Sequence, residues 1–262
     1  MTILQRRQWL VAMPLLMTGG WGLAQVRDLN DAINKAGRQR MLSQRCAKAY
    51  LALGQGVRKD QAEKVLSESM ALFDRQQVEL KAFAPTEVRA TYDQLESTWS
   101  NYKQALVGAV PSKAGAGPVL TAAGATLQLA HQGTVQLEQV SGKPLGRLVN
   151  IAGRQRMLSQ RMAAMFLAAS WGVQADSAVK ALTESREEFV KAMVTLKTAP
   201  EATAAIKAEL ELGEQQYAFF DAALKGLRAG NGDPKAMTDV FTTSERILQV
   251  MDGVTALFAR AS

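Results

Sequence analysis

The chain contains the same ten-residue segment twice. Residues 36–45 and 152–161 both read AGRQRMLSQR, and an asparagine lies two positions before each copy, at Asn34 and Asn150. Ten identical residues at one offset do not arise by chance, so the 262-residue chain is an internal duplication. The offset is far longer than a solenoid repeat, and each copy therefore belongs to a unit of domain size or to half of a two-fold object.

The repeated segment is typical of an α-helix that makes one close contact. It contains no proline and no β-branched residue, and its one poor helix former is the glycine at Gly37 or Gly153. A glycine inside a helix costs about 1 kcal/mol relative to alanine, so its presence in both copies predicts close approach of another backbone or of a ligand. On a helical wheel Arg40 shares a stripe with Gly37, and Arg156 shares one with Gly153. If the two stripes meet across a pseudo-two-fold axis, the arginines converge.

Converging arginines would favour negative charge between them. Two guanidinium groups about 7 Å apart, at an effective dielectric constant of about 20, repel by about 2.4 kcal/mol, and a bound anion removes that penalty. A planar oxyanion suits the guanidinium fork, which donates two parallel hydrogen bonds. The alternative is that Arg40 and Arg156 are solvated or paired with carboxylates on a helix surface, because charged residues are mostly exposed.

Segments 34–45 and 150–161 resemble the signature of a known family: an asparagine, then Ala-Gly, then an arginine-rich run ending in Arg-Met-Leu-Ser-Gln-Arg. This signature is similar to that of the PilJ-type sensor domain, the N-terminal ligand-binding module of type IV pili methyl-accepting chemotaxis transducers. That domain is related to the periplasmic domain of NarX-type nitrate/nitrite sensor kinases. The resemblance implies a four-helix bundle that dimerises through its first helix. In nitrate-binding members the anion lies between two first helices, held by one arginine from each and by backbone near the glycine.

Matched residue by residue, the resemblance implies that Arg40 and Arg156 hold the anion and that Gly37 and Gly153 are the glycines beside it. We therefore expect nitrate or nitrite to bind between the first helices of the two repeats. The asparagines that precede the segments are candidates for the edge of this site: Asn34 and Asn150. The other arginines of the segments are expected to support the bundle or its surface: Arg38, Arg45, Arg154 and Arg161.

The chain beyond residue 24 reads as helix, which predicts an all-α fold. Amphipathic spacing and helix stop signals predict eight helices, at about 26–54, 60–83, 86–109, 119–140, 146–170, 176–198, 201–229 and 235–260. The proline-bounded segment 111–118 is predicted to be a flexible loop, and Asp60 to cap the second helix. The repeats then form PilJ-like four-helix units at 25–142 and 143–262, two tandem up-down bundles related by a pseudo-two-fold.

Residues 1–24 are typical of a secretory signal peptide. Arg6 and Arg7 form a positive region, 9–17 is a short apolar run, and 22–24 supplies small residues for cleavage. The arginine pair also resembles a twin-arginine signal, so export by the Sec or the twin-arginine route is expected, with the periplasm as destination. The apolar run is shorter than the about 20 residues of a membrane span. An uncleaved N-terminal anchor is the alternative and would be the protein's one membrane contact.

Several function classes find little support in this sequence. The net charge is +7, but the basic residues are scattered, which argues against nucleic-acid binding. One histidine, His131, and one cysteine, Cys46, offer no metal site and no Ser/His/Asp arrangement. Cys46 is expected to be a buried small hydrophobe, and His131 a surface or partly packed side chain. We predict neither an enzyme nor a cofactor.

The predicted function is an exported sensor module that binds a small oxyanion. No kinase, methyl-accepting or DNA-binding segment follows the repeats, so the signal is expected to pass to a separate signalling or transport protein. Two alternatives stay open. An anion-independent interaction or adaptor protein would use the repeated segment as a helix-packing seam, and an anion carrier would deliver its ligand to a transporter or reductase.

Overall fold

The fold of residues 25–261 is described by a computed structural model, and the predicted signal peptide at 1–24 lies outside these residues. Within 25–261 the chain forms eight α-helices and no β-strand. In chain order they are α1 Leu29–Gly54, α2 Lys59–Phe83, α3 Thr86–Val107, α4 Lys113–Ser141, α5 Pro144–Ser170, α6 Ala175–Thr198, α7 Ala204–Leu224 and α8 Pro234–Arg260. The predicted all-α class is confirmed.

Local capping explains where the predicted boundaries were wrong. The segment predicted as a loop at 111–118 belongs largely to α4, because the Ser112 hydroxyl accepts a hydrogen bond from the Gly115 N–H and starts the helix there. Pro118 lies inside that helix, where it removes one N–H donor without ending it. The start of α2 is not capped by Asp60, since the left-handed residue Arg58 precedes the helix.

Each repeat folds into its own four-helix bundle. In the first repeat α1 packs against α2 and α4, and α3 packs against α4; in the second, α5 packs against α6 and α8, and α7 against α8. The two cores are built alike: Phe73 stacks on Trp99 with ring centroids 3.9 Å apart, and Phe189 stacks on Tyr217 at 4.5 Å. Cys46 is buried on the core side of α1, as predicted.

The most extensive helix contact joins the repeats through α1 and α5. Gly37 lies against the backbone of Gly153, and Gly54 lies against the ring of Trp171 near the C-terminal ends of the helices. The two helices therefore run parallel and in register, which places the pseudo-two-fold axis between them. None of the helices in 25–261 combines the length and the apolarity required to cross a membrane.

Candidate functional site

Arg40 and Arg156 meet at the α1–α5 interface. Both side chains are completely buried. A Cβ atom at Gly37 would lie 3.2 Å from Nη2 of Arg40 and 3.5 Å from Nη2 of Arg156, and one at Gly153 would lie 3.6 and 3.2 Å from the same two nitrogens. The glycines thus provide the space that the guanidinium groups occupy, and the structure brings together the residues of the predicted stripe.

Each arginine crosses the interface to the backbone of the other helix. Arg40 Nη2 donates to the Asn150 carbonyl at 3.1 Å, and Arg156 Nη2 donates to the Asn34 carbonyl at 3.0 Å. The asparagines therefore contact the arginines through main-chain oxygens, and the Asn150 side chain donates instead to Glu138. The buried polar atoms without a hydrogen-bond partner in residues 25–261 include four at this interface: the Nε atoms of both arginines and the Oδ1 atoms of both asparagines.

Other polar residues of the repeated segment fasten each central helix to its own bundle. Gln39 donates to Gln77 on α2, and its counterpart Gln155 donates to the Phe189 carbonyl on α6. The segment's second glutamine bonds the fourth helix of its repeat, in the pairs Gln44 with the Ala123 carbonyl and Gln160 with the Ser244 carbonyl. Much of the identity between the two segments therefore has a packing role.

The outer partners of the two arginines differ. Arg156 Nη1 donates to the Asp252 carboxylate at 2.5 Å, and Arg38 donates to the same oxygen at 2.7 Å. At the corresponding place, Arg40 Nη1 lies 3.2 Å from Nδ1 of His131, a group that can accept only when that nitrogen carries no proton. Within residues 25–261, Arg40 has no carboxylate within ion-pair distance. Among these residues the interface thus gives Arg156 a direct carboxylate contact that Arg40 lacks.

The pKa values reflect this asymmetry. Burial, together with the charges of Arg154 and Arg156, lowers the pKa of Arg40 to about 9. Burial lowers the pKa of Arg156 to about 10, against the opposing effect of Asp252. Burial and the charges of Arg40 and Arg154 lower the pKa of His131 to about 4. At neutral pH His131 is therefore uncharged and accepts from Arg40, which stays protonated.

We expect His131→Asp to stabilise the protein by about 1.5–3 kcal/mol at pH 7, because a hydrogen bond to a charged group contributes about that much. The new carboxylate would give Arg40 the counter-charge that Asp252 gives Arg156. Urea unfolding followed by circular dichroism measures the change.

His131→Asn is the matched control, since it has the same shape as aspartate and no charge. An equal stability of the two variants would contradict the electrostatic interpretation. The wild type should also lose stability as the pH falls from 6.5 towards 4, because the unfolded chain binds the His131 proton first; His131→Asn should lack this loss.

The sequence interpretation missed the contacts of His131 and Asp252. His131 is partly packed, as expected, but its role as the partner of Arg40 was not anticipated. The other four arginines of the segments are half-buried. Three of them pair with carboxylates: Arg38 with Asp252, Arg45 with Glu245 and Arg154 with Glu188.

Comparison with known families agrees with the duplicated architecture. The model of the PilJ family, described as the type IV pili methyl-accepting chemotaxis transducer N-terminal domain, matches residues 21–126 and 141–211. The matched segments cover more than half of the chain, and each contains one copy of the ten-residue repeat. Searches of curated proteins and of solved structures found no match. The chain therefore belongs to the PilJ family of chemotaxis-transducer N-terminal domains, which indicates a sensory role in signalling.

Proposed function

We propose that this protein is an exported sensor module that binds nitrate or nitrite between α1 and α5 and signals to a separate protein. Family membership supports the sensory role. The observation that carries the choice of ligand is the convergence of Arg40 and Arg156 beside Gly37 and Gly153. The same arrangement is the basis of the proposed relation to NarX-type sensors.

Electrostatics favours an anion at this interface. The two Nη2 atoms lie close to the same pair of glycines, and two positive charges about 7 Å apart repel by about 2.4 kcal/mol at a dielectric constant of about 20. One carboxylate, Asp252, contacts the pair directly. The Nε atoms of Arg40 and Arg156 are buried donors without partners, and each such donor costs about 1–3 kcal/mol. An oxyanion would accept these hydrogen bonds and offset the repulsion.

A change in the cross-helix hydrogen bonds provides a route for the signal. An anion that accepts from the Nε atoms of Arg40 and Arg156 would shift the guanidinium groups, whose Nη2 atoms now bond the Asn150 and Asn34 carbonyls. The free and bound states would then differ in the bonds that hold α1 to α5, which is the differential interaction that a ligand-driven shift requires. Helix displacements of about 1–2 Å are the usual outcome at such interfaces, and a partner protein could read them.

Calorimetric titration with nitrate and nitrite tests the site. We expect binding to the wild type and a loss of about 10- to 100-fold in affinity for Arg40→Gln or Arg156→Gln, since each removes charge-assisted hydrogen bonds. Arg228→Gln is the matched control, because Arg228 is exposed between α7 and α8, away from the interface. Unchanged affinity in the folded double variant Arg40→Gln plus Arg156→Gln would refute the site.

One observation favours an anion-independent adaptor as the second candidate. Arg40 and Arg156 are fully buried and already bond carbonyls of the opposite helix, as a packing seam would require. An adaptor would show no heat with nitrate, and its capture of a partner from membrane fractions would not respond to anions.

The proposed location is the periplasm, where PilJ domains typically lie as the sensor regions of transducers. The proposal includes removal of residues 1–24 and two units bounded at 25–142 and 143–262. The structure ends α4 at Ser141 and begins α5 at Pro144, and the left-handed residue Gly142 lies between them.

A further inference from the structure

The geometry points to a second ligand site, a cleft between α4, α5 and α6 that takes a small organic carboxylate. The cleft has a volume of about 290 Å³. It lies beside the second copy of the repeated segment and adjoins the oxyanion site between α1 and α5 at His131, but its anion partner is a different arginine, Arg161. The polar groups that line it include Gln128, His131, Arg161 and Ser185.

The two repeats can be aligned through the contacts of their equivalent glutamines, Gln44 and Gln160. Gln44 bonds the Ala123 carbonyl on α4, and Gln160 bonds the Ser244 carbonyl on α8. These two carbonyls therefore occupy equivalent places. The next residue on each helix is Gly124 on α4 and Glu245 on α8, so a glycine in one repeat replaces a carboxylate in the other.

That replacement leaves an arginine without its counter-charge. Glu245 lies 2.5 Å from Arg45 and 2.5 Å from Lys48, which are both on α1. The residue equivalent to Arg45 is Arg161, and the residue equivalent to Lys48 is alanine. Arg161 has no carboxylate within ion-pair distance in residues 25–261. A Cβ atom at Gly124 would meet nothing within 4 Å, so the place of the missing carboxylate is open space.

The carboxylates that line the cleft, Glu184 and Glu188, act on Arg161 through their charge but lie beyond ion-pair distance of it. Glu188 is paired with Arg154 through two nitrogens, and Glu184 lies at the exposed rim, 3.9 Å from Lys180. Arg161 is thus the cation that a bound anion would meet. The matching cleft beside α1 and α8 differs, because there Glu245 pairs with Arg45 and Asp252 pairs with Arg38.

The remaining lining selects the class of ligand. Leu127, Met157 and Leu158 form an apolar wall beside the polar groups. A water molecule occupies about 30 Å³ in the liquid, so the cleft exceeds the needs of a four-atom oxyanion. A carboxylate on Arg161 with a short apolar body against the leucines and methionine would use both surfaces.

Titration with isovalerate and benzoate tests the site in the full protein. We expect both carboxylates to bind the wild type by calorimetry and the neutral isovaleramide to bind at least tenfold more weakly. Gly124→Glu should reduce carboxylate affinity at least tenfold, because the new side chain would pair with Arg161 as Glu245 pairs with Arg45. Gly124→Ala is the matched control, since it makes the same helix-stabilising change without the charge and should retain binding.

The proposal would be overturned if neither carboxylate binds the wild type, or if Gly124→Glu binds them as well as Gly124→Ala does. Arg161→Gln should reproduce the loss seen in Gly124→Glu, and equal affinity in this variant would count against the site. Nitrate titrations separate the two sites. Nitrate binding between α1 and α5 should persist in Gly124→Glu, and isovalerate binding should persist in Arg156→Gln.

Discussion

Replacing Glu245 with glutamine should lower the free energy of unfolding by about 3–5 kcal/mol at pH 7, which is the usual effect of breaking a buried ion pair. Glu245 accepts hydrogen bonds from Lys48 and Arg45, each at 2.5 Å, and the Lys48 side chain is completely buried. Without the carboxylate, Lys48 would keep the Ser244 hydroxyl at 3.0 Å and the Phe241 ring at 4.6 Å, neither of which carries a charge. Urea unfolding measures the loss.

Two further variants make this test specific. Glu68→Gln removes an exposed glutamate 3.8 Å from Lys64 and should change stability by less than about 1 kcal/mol. Lys48→Met added to Glu245→Gln should recover much of the loss, because a buried ion pair can often be replaced by apolar groups at little cost. An effect of Glu245→Gln no larger than that of Glu68→Gln would show that the ion pair contributes little.

The same carboxylate gives the stability a pH dependence. Burial alone would raise the pKa of Glu245, but the charges of Lys48 and Arg45 outweigh it and lower the pKa to about 2. The unfolded chain, with a pKa near 4.5, therefore binds the proton first as the pH falls. The contribution of Glu245 is fully present above pH 4.5 and is lost towards pH 2, and Glu245→Gln should show a flatter profile over that range.

Gly153→Leu should destabilise the protein by about 2–4 kcal/mol, because overpacking and the loss of buried hydrogen bonds act together. Even a Cβ atom there would lie 3.2 Å from Nη2 of Arg156 and 3.8 Å from the Cα atom of Gly37. The further carbons of leucine would need the space of the guanidinium groups or would push α1 away from α5. Thermal and urea unfolding both report the change.

Two controls separate this effect from helix propensity. Gly153→Ala should be nearly neutral, since a gain of about 1 kcal/mol in propensity opposes a contact that the flexible end of Arg156 can relieve. Gly124→Leu makes the same substitution inside α4, where a Cβ atom meets open space, and should stabilise the protein. Equal effects of leucine at Gly153 and Gly124 would contradict the close-packing interpretation.

The convergence of Arg40 and Arg156 could be predicted from the sequence, because the two repeated segments are identical and helical periodicity places the same residues on the same face of each helix. The glycine on each stripe allows the two helices to approach closely, and identical stripes can pack against each other across a two-fold axis. The contact of Arg40 with His131 could not be predicted in this way. The sequences of α4 and α8 are too dissimilar to be aligned. The equivalence of His131 and Asp252 therefore appears only from the contacts of the two helices with α1 and α5.

Helix boundaries were less predictable for a local reason. Pro118 and the small residues before it are typical of a loop, yet the hydrogen bond between the Ser112 hydroxyl and the Gly115 N–H starts α4 ahead of them. A cap of this kind is a single hydrogen bond, and whether it forms depends on how the rest of α4 packs. The start of α2 after the left-handed Arg58 is a similar case, and its counterpart Gln174 adopts the same conformation before α6.

The covalent link between the repeats allows the halves of the interface to evolve separately. In an assembly of two identical subunits every substitution appears twice, so opposite charges cannot be assigned to equivalent positions. Here one half carries Asp252 and Glu245, while the other carries His131 and Gly124. The two sides of the α1–α5 interface are therefore chemically distinct, so that a ligand and a partner protein can each recognise one side and not the other.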